Sequence, residues 1–332
     1  MKAMVLERQG PAAGHPLVLR DLPDPVPGAR QILVRVDACA VCRTDLHVVE
    51  GDLPRHRLPL VPGHQIVGRV ATLGERATRF ALGDRVGIAW LRSTCGTCAW
   101  CRSGAENLCE GSRYTGWDAD GGYAEYAVAP EEFAYPIPEA FTAAEAAPLL
   151  CAGIIGYRAL RRSRIEPGGR LGLFGFGSSA HLVLQIARHR GCEVHVATRG
   201  ERHRNLAAEL GAAWVGDTFD RPPAPLDAAI VFAPAGPIVP AALRALRKGG
   251  TVALAGIHMS DVPAMNYASC LFHEKTLTSV ESNTRADGTD LLREAAEIPV
   301  RPRVAMRPLA EANEALLALA GDAVTGTTVL VP

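Results

Sequence analysis

The sequence predicts a two-part α/β chain, with a β-rich module first and a doubly wound parallel sheet after it. Three observations lead there. The chain has 332 residues, a length that suits about two domains of roughly 150 residues. Residues 1 to about 145 hold short β-type runs between Gly and Pro, the pattern of an all-β module. The texture then changes near Pro148, and from Gly169 onward strand-like and helix-like segments alternate. Such alternation calls for a parallel sheet with helices on both faces.

Taken in order, Gln31 to Val36, Gln65 to Ala71 and Arg85 to Ala89 read as strands of the first module. Arg170 to Phe174 reads as a buried strand and Ser178 to His189 as a helix. Glu193 to Thr198 repeats the strand and Glu201 to Leu210 the helix. Leu226 to Phe232, Pro240 to Leu246 and Thr251 to Ile257 continue the alternation. Right-handed connections make the doubly wound topology the simplest arrangement. From about Val300, Pro-flanked strand-like text surrounds one helix, Ala310 to Ala320, and is expected to rejoin the first domain. The domains are therefore placed at 1–148 with 297–332, and at 149–296. There is no internal repeat and no low-complexity segment.

Composition excludes several classes of function. The chain carries 35 basic and 35 acidic side chains and no formal net charge. A nucleic-acid binder would show a basic footprint. A polybasic membrane anchor or an acidic disordered tail would also unbalance the charge. Hydrophobic residues make up 48% and charged residues 21%, enough for large cores beneath a hydrated surface. No run reaches the roughly 18 apolar residues needed to span a bilayer. The start, MKAMVLERQGPAAGHP, has charge where a signal peptide would be apolar. A cytoplasmic enzyme, without nucleic-acid or membrane partners, is the expected class.

Nine cysteines, an odd number in a long chain without a secretory signal, point to metal or thiol chemistry instead of a disulfide framework. Four of them, Cys95, Cys98, Cys101 and Cys109, lie within 15 residues, with Gly96 and Gly104 among them. C-x-x-C spacing lets a tight turn present two sulfurs to one ion, and four thiolates complete a tetrahedron with no open position. A structural zinc is the favoured reading. An iron–sulfur cluster and four free or paired thiols are the alternatives.

Gly175-Phe-Gly177-Ser-Ser-Ala180 follows a predicted strand and opens a predicted helix. These glycines permit a tight turn and the approach of a pyrophosphate to backbone N–H groups at a helix start, with Ala180 at the permitted third position. In this context a dinucleotide is favoured over a plain strand–helix turn. The following strand ends at Thr198-Arg199, with Arg202 and Arg204 beyond and no acid at its tip. An acid there would hold the ribose hydroxyl of NAD. Thr198 and Arg199 suit a 2′-phosphate, so NADP(H) is expected over NAD(H). A solvated arginine cluster is the plain alternative.

A third dense polar cluster, Cys42-Arg43-Thr44-Asp45-Leu46-His47, is followed by Pro62-Gly63-His64-Gln65. Spacing alone does not bring Cys42, His64 and Cys151 together. Cys151 by itself reads as a buried structural thiol, as do Cys39, Cys192 and Cys270. His56, His181 and His258 receive no role.

CRTDLH, PGHQIVG, GDRVG, the CxxCxxC…C lobe, DGGYAEY, PLLCAGIIGYRAL and GFGSSAH occur in this order along essentially the whole chain. Together they resemble the zinc-dependent medium-chain alcohol dehydrogenases, above all their bacterial short-loop branch. The resemblance implies a GroES-like catalytic domain and a Rossmann cofactor domain, with the active site in the cleft between them. It implies two zinc ions per chain. The catalytic one would be held by Cys42, His64 and Cys151, leaving the open fourth position of a catalytic zinc. Asp45 would orient His64. Thr44 and His47 would form a proton relay through the cofactor ribose to solvent, and Arg43 would contact the pyrophosphate. Trp90 and Trp117 would narrow the substrate pocket, as in members acting on small primary alcohols. The implied reaction interconverts primary alcohols and aldehydes by hydride transfer with a nicotinamide cofactor. The implied assembly is a homodimer or homotetramer.

One position departs from the pattern. The family usually has Glu after the ligand histidine, and this chain has Gln65. A neutral amide removes one negative charge near the metal, which would make zinc more electrophilic and alter ligand exchange. A tolerated near-isostere or an engineered change is the plain alternative. Gln65 also admits a reductase of imines or conjugated C=C bonds on the same scaffold. A cofactor-binding scaffold without turnover is a further alternative, and the intact ligand and relay candidates argue against it.

Overall fold

The computed structural model describes residues 1–54, 56–298 and 300–332. They form two compact units, Met1–Cys151 with Thr284–Ala296 and Arg301–Pro332, and Ala152–Asn283 with Glu297–Val300.

The first unit is built on a seven-stranded sheet. Its central strand, Gln31–Ala40, pairs antiparallel along one side with Gln65–Leu73. Along the other it meets Tyr126–Pro130 at its start and Thr327–Val331 at its end. Arg85–Ile88 and then Ala134–Pro136 extend one flank, and Val304–Pro308 extends the other. Ile32, Val34, Ile66, Val86, Ile88, Tyr123 and Leu330 share the core. The expected return of the tail is observed, since Thr327–Val331 pairs with the central strand. Burying a Val, Leu or Ile side chain stabilises by about 1.5–3 kcal/mol, so these strands suffice to build a core around the polar segments they carry.

The second unit is a six-stranded parallel sheet. Its strands stand in the order Trp214–Gly216, Glu193–Ala197, Arg170–Phe174, Leu226–Val231, Leu246–Leu254, Thr276–Ser279. Numbered along the chain this is 3-2-1-4-5-6, the Rossmann order. Helices Ser178–His189, Glu201–Glu209 and Ile238–Ala245 provide crossovers. Strand residues buried on both faces explain the continuous apolar runs of the sequence.

Three stretches fall differently from the sequence expectation, one being Glu297–Val300, which belongs to the second unit instead of the first. Thr284–Ala296 belongs to the first unit, although the pattern grouped it with the cofactor domain. Arg285 explains why: its guanidinium makes a forked pair with the Glu106 carboxylate at 2.6–3.1 Å, and its backbone N–H donates to the same group at 2.8 Å. That guanidinium also sits over the Phe133 ring at 4.6 Å. A contact across 179 residues leaves no local signal. Residues 149–151 likewise stay with the first unit, where Leu150 packs against Gly87. In addition, Ala143–Arg162 is long and apolar enough by length and composition to cross a membrane, although no apolar run had been expected to be so. Two-thirds of its most apolar window is buried in the fold, as in a core helix.

Burial raises the Glu106 carboxyl, but the Arg285 side chain and backbone N–H outweigh it and hold it below the ordinary range. The pair therefore stabilises the fold above the unfolded carboxyl's value near 4.5 and is lost as pH falls through the depressed one. Arg285 is 41% exposed, so solvent screening keeps the expected cost of Glu106→Gln to about 1–2 kcal/mol. Thermal unfolding should show this loss at neutral pH and a shrinking difference from wild type in acid.

Candidate metal and active site

The first candidate metal site starts from a helix cap. Cys42 is the N-cap of helix Arg43–Glu50, and its Sγ accepts the Thr44 backbone N–H at 3.3 Å. Asp45 completes the capping box, with Oδ2 accepting the Cys42 N–H at 2.9 Å. Its other oxygen, Oδ1, lies 2.9 Å from His64 Nδ1. One buried carboxylate thus fixes the backbone of one donor and the ring of another, and turns His64 Nε2 to 3.4 Å from Cys42 Sγ.

His64 follows a turn that only glycine can make. Gly63 has φ +95°, and a Cβ on it would lie 2.4 Å from the Tyr123 ring. The Asp120–Tyr123 segment braces this turn, because Gly121, Gly122 and Tyr123 donate backbone N–H bonds to Val61, Gly63 and Pro62 at 2.7–3.0 Å. Cys151 lies in a π-helical turn, Leu149–Gly153, after helix Ala143–Pro148. π-Turns recur at functional sites. Cys151 Sγ stands 4.0 Å from Cys42 Sγ.

These dimensions fit zinc. Zn–S bonds near 2.3 Å and Zn–N bonds near 2.0 Å in a tetrahedron give S–S edges of about 3.8 Å and S–N edges of about 3.5 Å. The observed 4.0 and 3.4 Å match, and all three donors lie within 4.8 Å of one another. The Cys151 thiol and burial push the Cys42 thiol up, so a thiolate here is favoured by a cation among the donors.

Cys95, Cys98, Cys101 and Cys109 form a second cluster with sulfurs within 4.8 Å. The Cys95–Cys101 and Cys98–Cys101 separations are 3.9 and 3.5 Å, again tetrahedral edges rather than bonds between sulfurs. Backbone N–H groups of Thr97 and Cys98 bring the Cys95 thiol down to about 6.

The remaining predicted residues distribute as follows. Thr44 and His47 share helix Arg43–Glu50, three residues apart, and His47 Nδ1 lies 2.7 Å from Asp52. Arg43 stands 3.8 Å from Asp322. Gln65 is fully buried, and neither amide atom has a hydrogen-bond partner among the described residues. Trp90 meets the His64 ring edge-on at 5.0 Å, and Trp117 stacks near-parallel to Trp90 at 5.8 Å. Tyr114 and His56 belong to the same group of rings, and sequence reasoning gave neither a role. Their placement arises from loops with no periodic signal.

In the second unit, Gly175 has φ +89° directly after strand Arg170–Phe174, and a Cβ on it would meet Ala233 N at 2.8 Å. Helix Ser178–His189 opens on Gly177 with no side-chain cap and no acid in its first turn, and Ala180 is fully buried. This is a helix start shaped for an anion such as a pyrophosphate. Thr198 is 3% exposed, with Oγ1 donating to Arg199 O at 3.4 Å, while Arg199 is exposed. Arg204 donates to Thr198 O and Asp217.

Asp45→Asn should weaken zinc binding at the first site by about 10–100-fold, since partners that orient ligand imidazoles typically matter that much. Competition with a chromophoric chelator checks this, and the four-cysteine site should keep its metal.

Residues 28–139 match the model of the alcohol dehydrogenase GroES-like domain, and residues 179–297 that of zinc-binding dehydrogenases. The chain is 52% identical to the probable alcohol dehydrogenase AdhA of Mycobacterium tuberculosis (strain CDC 1551 / Oshkosh), covering 100% of this chain and 97% of the relative. It superimposes on acetophenone reductase from Geotrichum candidum in complex with NAD at a TM-score of 0.88, with 25% identity and coverage of 100% and 97%. A cobalt- and zinc-bound thermostable alcohol dehydrogenase from Pyrobaculum aerophilum gives a TM-score of 0.90, with 25% identity and coverage of 100% and 99%. These findings favour alcohol oxidoreduction over the imine, C=C and non-catalytic alternatives. With its GroES-like and Rossmann units, its paired thiol sites and these relatives, the chain is a member of the zinc-dependent medium-chain alcohol dehydrogenase family.

Proposed function

We propose that this alcohol dehydrogenase holds one zinc at Cys42, His64 and Cys151 for catalysis and a second at Cys95, Cys98, Cys101 and Cys109 for structure, and that it acts on small primary alcohols and their aldehydes. The single observation behind this is the donor triangle of Cys42, His64 and Cys151, whose edges suit three corners of a tetrahedron. When bound, zinc supplies Lewis-acid chemistry at the fourth corner and a nicotinamide supplies or accepts the hydride.

The chain's own residues supply the rest. Asp45 keeps His64 Nδ1 engaged, so that Nε2 faces the metal position. Thr44, at the start of its helix, offers a hydroxyl to the alcohol proton. His47, 16% exposed and beside Asp52, passes that proton towards water, a task suited to an imidazole. Arg43 and the Gly175–Gly177 turn offer charge and N–H groups to the pyrophosphate. Thr198 and Arg199 favour NADP(H): no acid stands at the strand tip, and Arg199 is exposed for a 2′-phosphate. Gln65 is a buried neutral amide, so it brings no charge where a carboxylate would.

A cytoplasmic homo-oligomer is part of the same reading. Thr276–Ser279 is an edge strand, and Ile257, Val262, Tyr267 and Phe272 are exposed apolar side chains near it in sequence. That combination suits pairing with a second copy.

The first experiment is NADPH and NADH oxidation with a panel of aldehydes, on protein whose zinc has been quantified. Two zinc per chain, turnover of small aldehydes and a higher kcat/KM with NADPH are expected. One zinc without turnover overturns the catalytic-site reading, and equal or better efficiency with NADH overturns the cofactor reading. Gln65→Glu should change the rate and shift the pH profile of kcat; an unchanged rate, substrate range and profile would remove any role for Gln65.

A further inference from the structure

A row of aromatic rings runs outward from His64. Trp90 touches the His64 ring edge-on, and Tyr114 stacks on Trp90 with centroids 4.9 Å apart and planes 22° apart. Trp117 lies near-parallel to Trp90, with centroids 5.8 Å apart and planes at 13°, and its centroid is 5.7 Å from that of Tyr114. His56 closes the row, stacked on Trp117 at 3.8 Å and 21°. Trp117 is therefore held between rings, and its Nε1–H donates to Pro54 O at 2.9 Å.

Asp118 organises the outer end. Its side chain is 4% exposed, whereas that of His56 is 40% exposed. Oδ1 lies 2.7 Å from His56 Nδ1 and also accepts from Arg113 at 3.2 Å. Oδ2 accepts the Tyr114 backbone N–H at 2.7 Å. One buried carboxylate thus anchors the outermost ring and the chain behind Tyr114. An exposed imidazole without such a bond would sample other rotamers and leave one face of Trp117 bare.

We propose that His56, held by Asp118, is a positioning residue that determines substrate specificity, locking Trp117 against Trp90 so that the site accepts slim, unbranched alcohols and aldehydes. The inference rests on the reading that Trp90 and Trp117 border the substrate. A wall discriminates by size only if it stays in place, since a displacement of about 0.5 Å already degrades a site. The inner ring is fixed by His64 and the core, while the outer ring is held at its edge by the Nε1–H bond to Pro54 and on its outer face by His56.

The test compares wild type, His56→Ala, His56→Phe and Trp117→Ala as zinc-loaded enzymes. The readout is kcat/KM for butyraldehyde and for cyclohexanecarboxaldehyde. His56→Ala should shift the ratio toward the cyclic aldehyde by about tenfold or more, within the range that pocket fit can supply, and mainly through KM for the cyclic substrate. His56→Phe keeps a ring but loses the bond to Asp118, so that ring is free to turn away from Trp117 and the ratio should stay near that of His56→Ala. The exciton circular dichroism of the Trp90–Trp117 pair should weaken in both His56→Ala and His56→Phe. If Trp117→Ala moves the ratio and His56→Ala does not, the role of His56 is overturned while the pocket reading stands. If neither moves it, the pocket reading fails and the proposal with it. Should His56→Ala not fold, His56→Gln removes the ring, keeps a partner for Asp118, and carries the same two outcomes.

Discussion

The Asp45 carboxylate is the constraint on which the first candidate metal site depends. Its two oxygens reach a backbone N–H at Cys42 and an imidazole at His64, 2.9 Å away in each case. It is 2% exposed, where an unbonded carboxylate would be strongly disfavoured. The same bonds that stabilise the helix start set the direction of a candidate ligand. Capping and the orientation of His64 are therefore one arrangement: a change that loosens the helix end also misdirects the histidine.

The surrounding structure serves that arrangement through close backbone approach. The Gly63 turn leaves no room for a Cβ because Tyr123 fills it. Gly121 is equally confined, since a Cβ on it would stand 1.9 Å from Gly63 O. The glycines of PGH and DGGY are thus two sides of one contact. In this dense region both Gln65 amide atoms and the Tyr123 hydroxyl lack hydrogen-bond partners among the described residues. Leaving such a group unsatisfied costs about 1–3 kcal/mol, a cost more readily retained at a site than in a plain core.

The second unit solves a different problem. Its sheet supplies rigidity, and its candidate anion site lies where the first strand ends and a helix begins. There Gly175 turns in the left-handed region and Gly177 leaves the helix start without a side-chain cap. An anion is favoured by that geometry whatever the identity of the neighbouring side chains. On the next strand's tip Thr198 is buried and Arg199 exposed.

How much was legible differs from element to element. Helix Ser178–His189 and strand Arg170–Phe174 occur as the periodicity requires, because local pattern and burial agree there. The four-cysteine cluster was legible for a similar reason, since 15 consecutive residues contain all its donors. By itself the sequence determined the alternation of the second unit, the thiol lobe and the glycine turn, all features whose causes lie within one or two turns of chain. The meeting of Cys42 with Cys151 across 109 residues, the capture of Arg285 by Glu106, and the stacking of His56 on Trp117 were decided only by tertiary structure. Each depends on loops closing over long separations, and the position of a loop is set by what it packs against, not by its own residues.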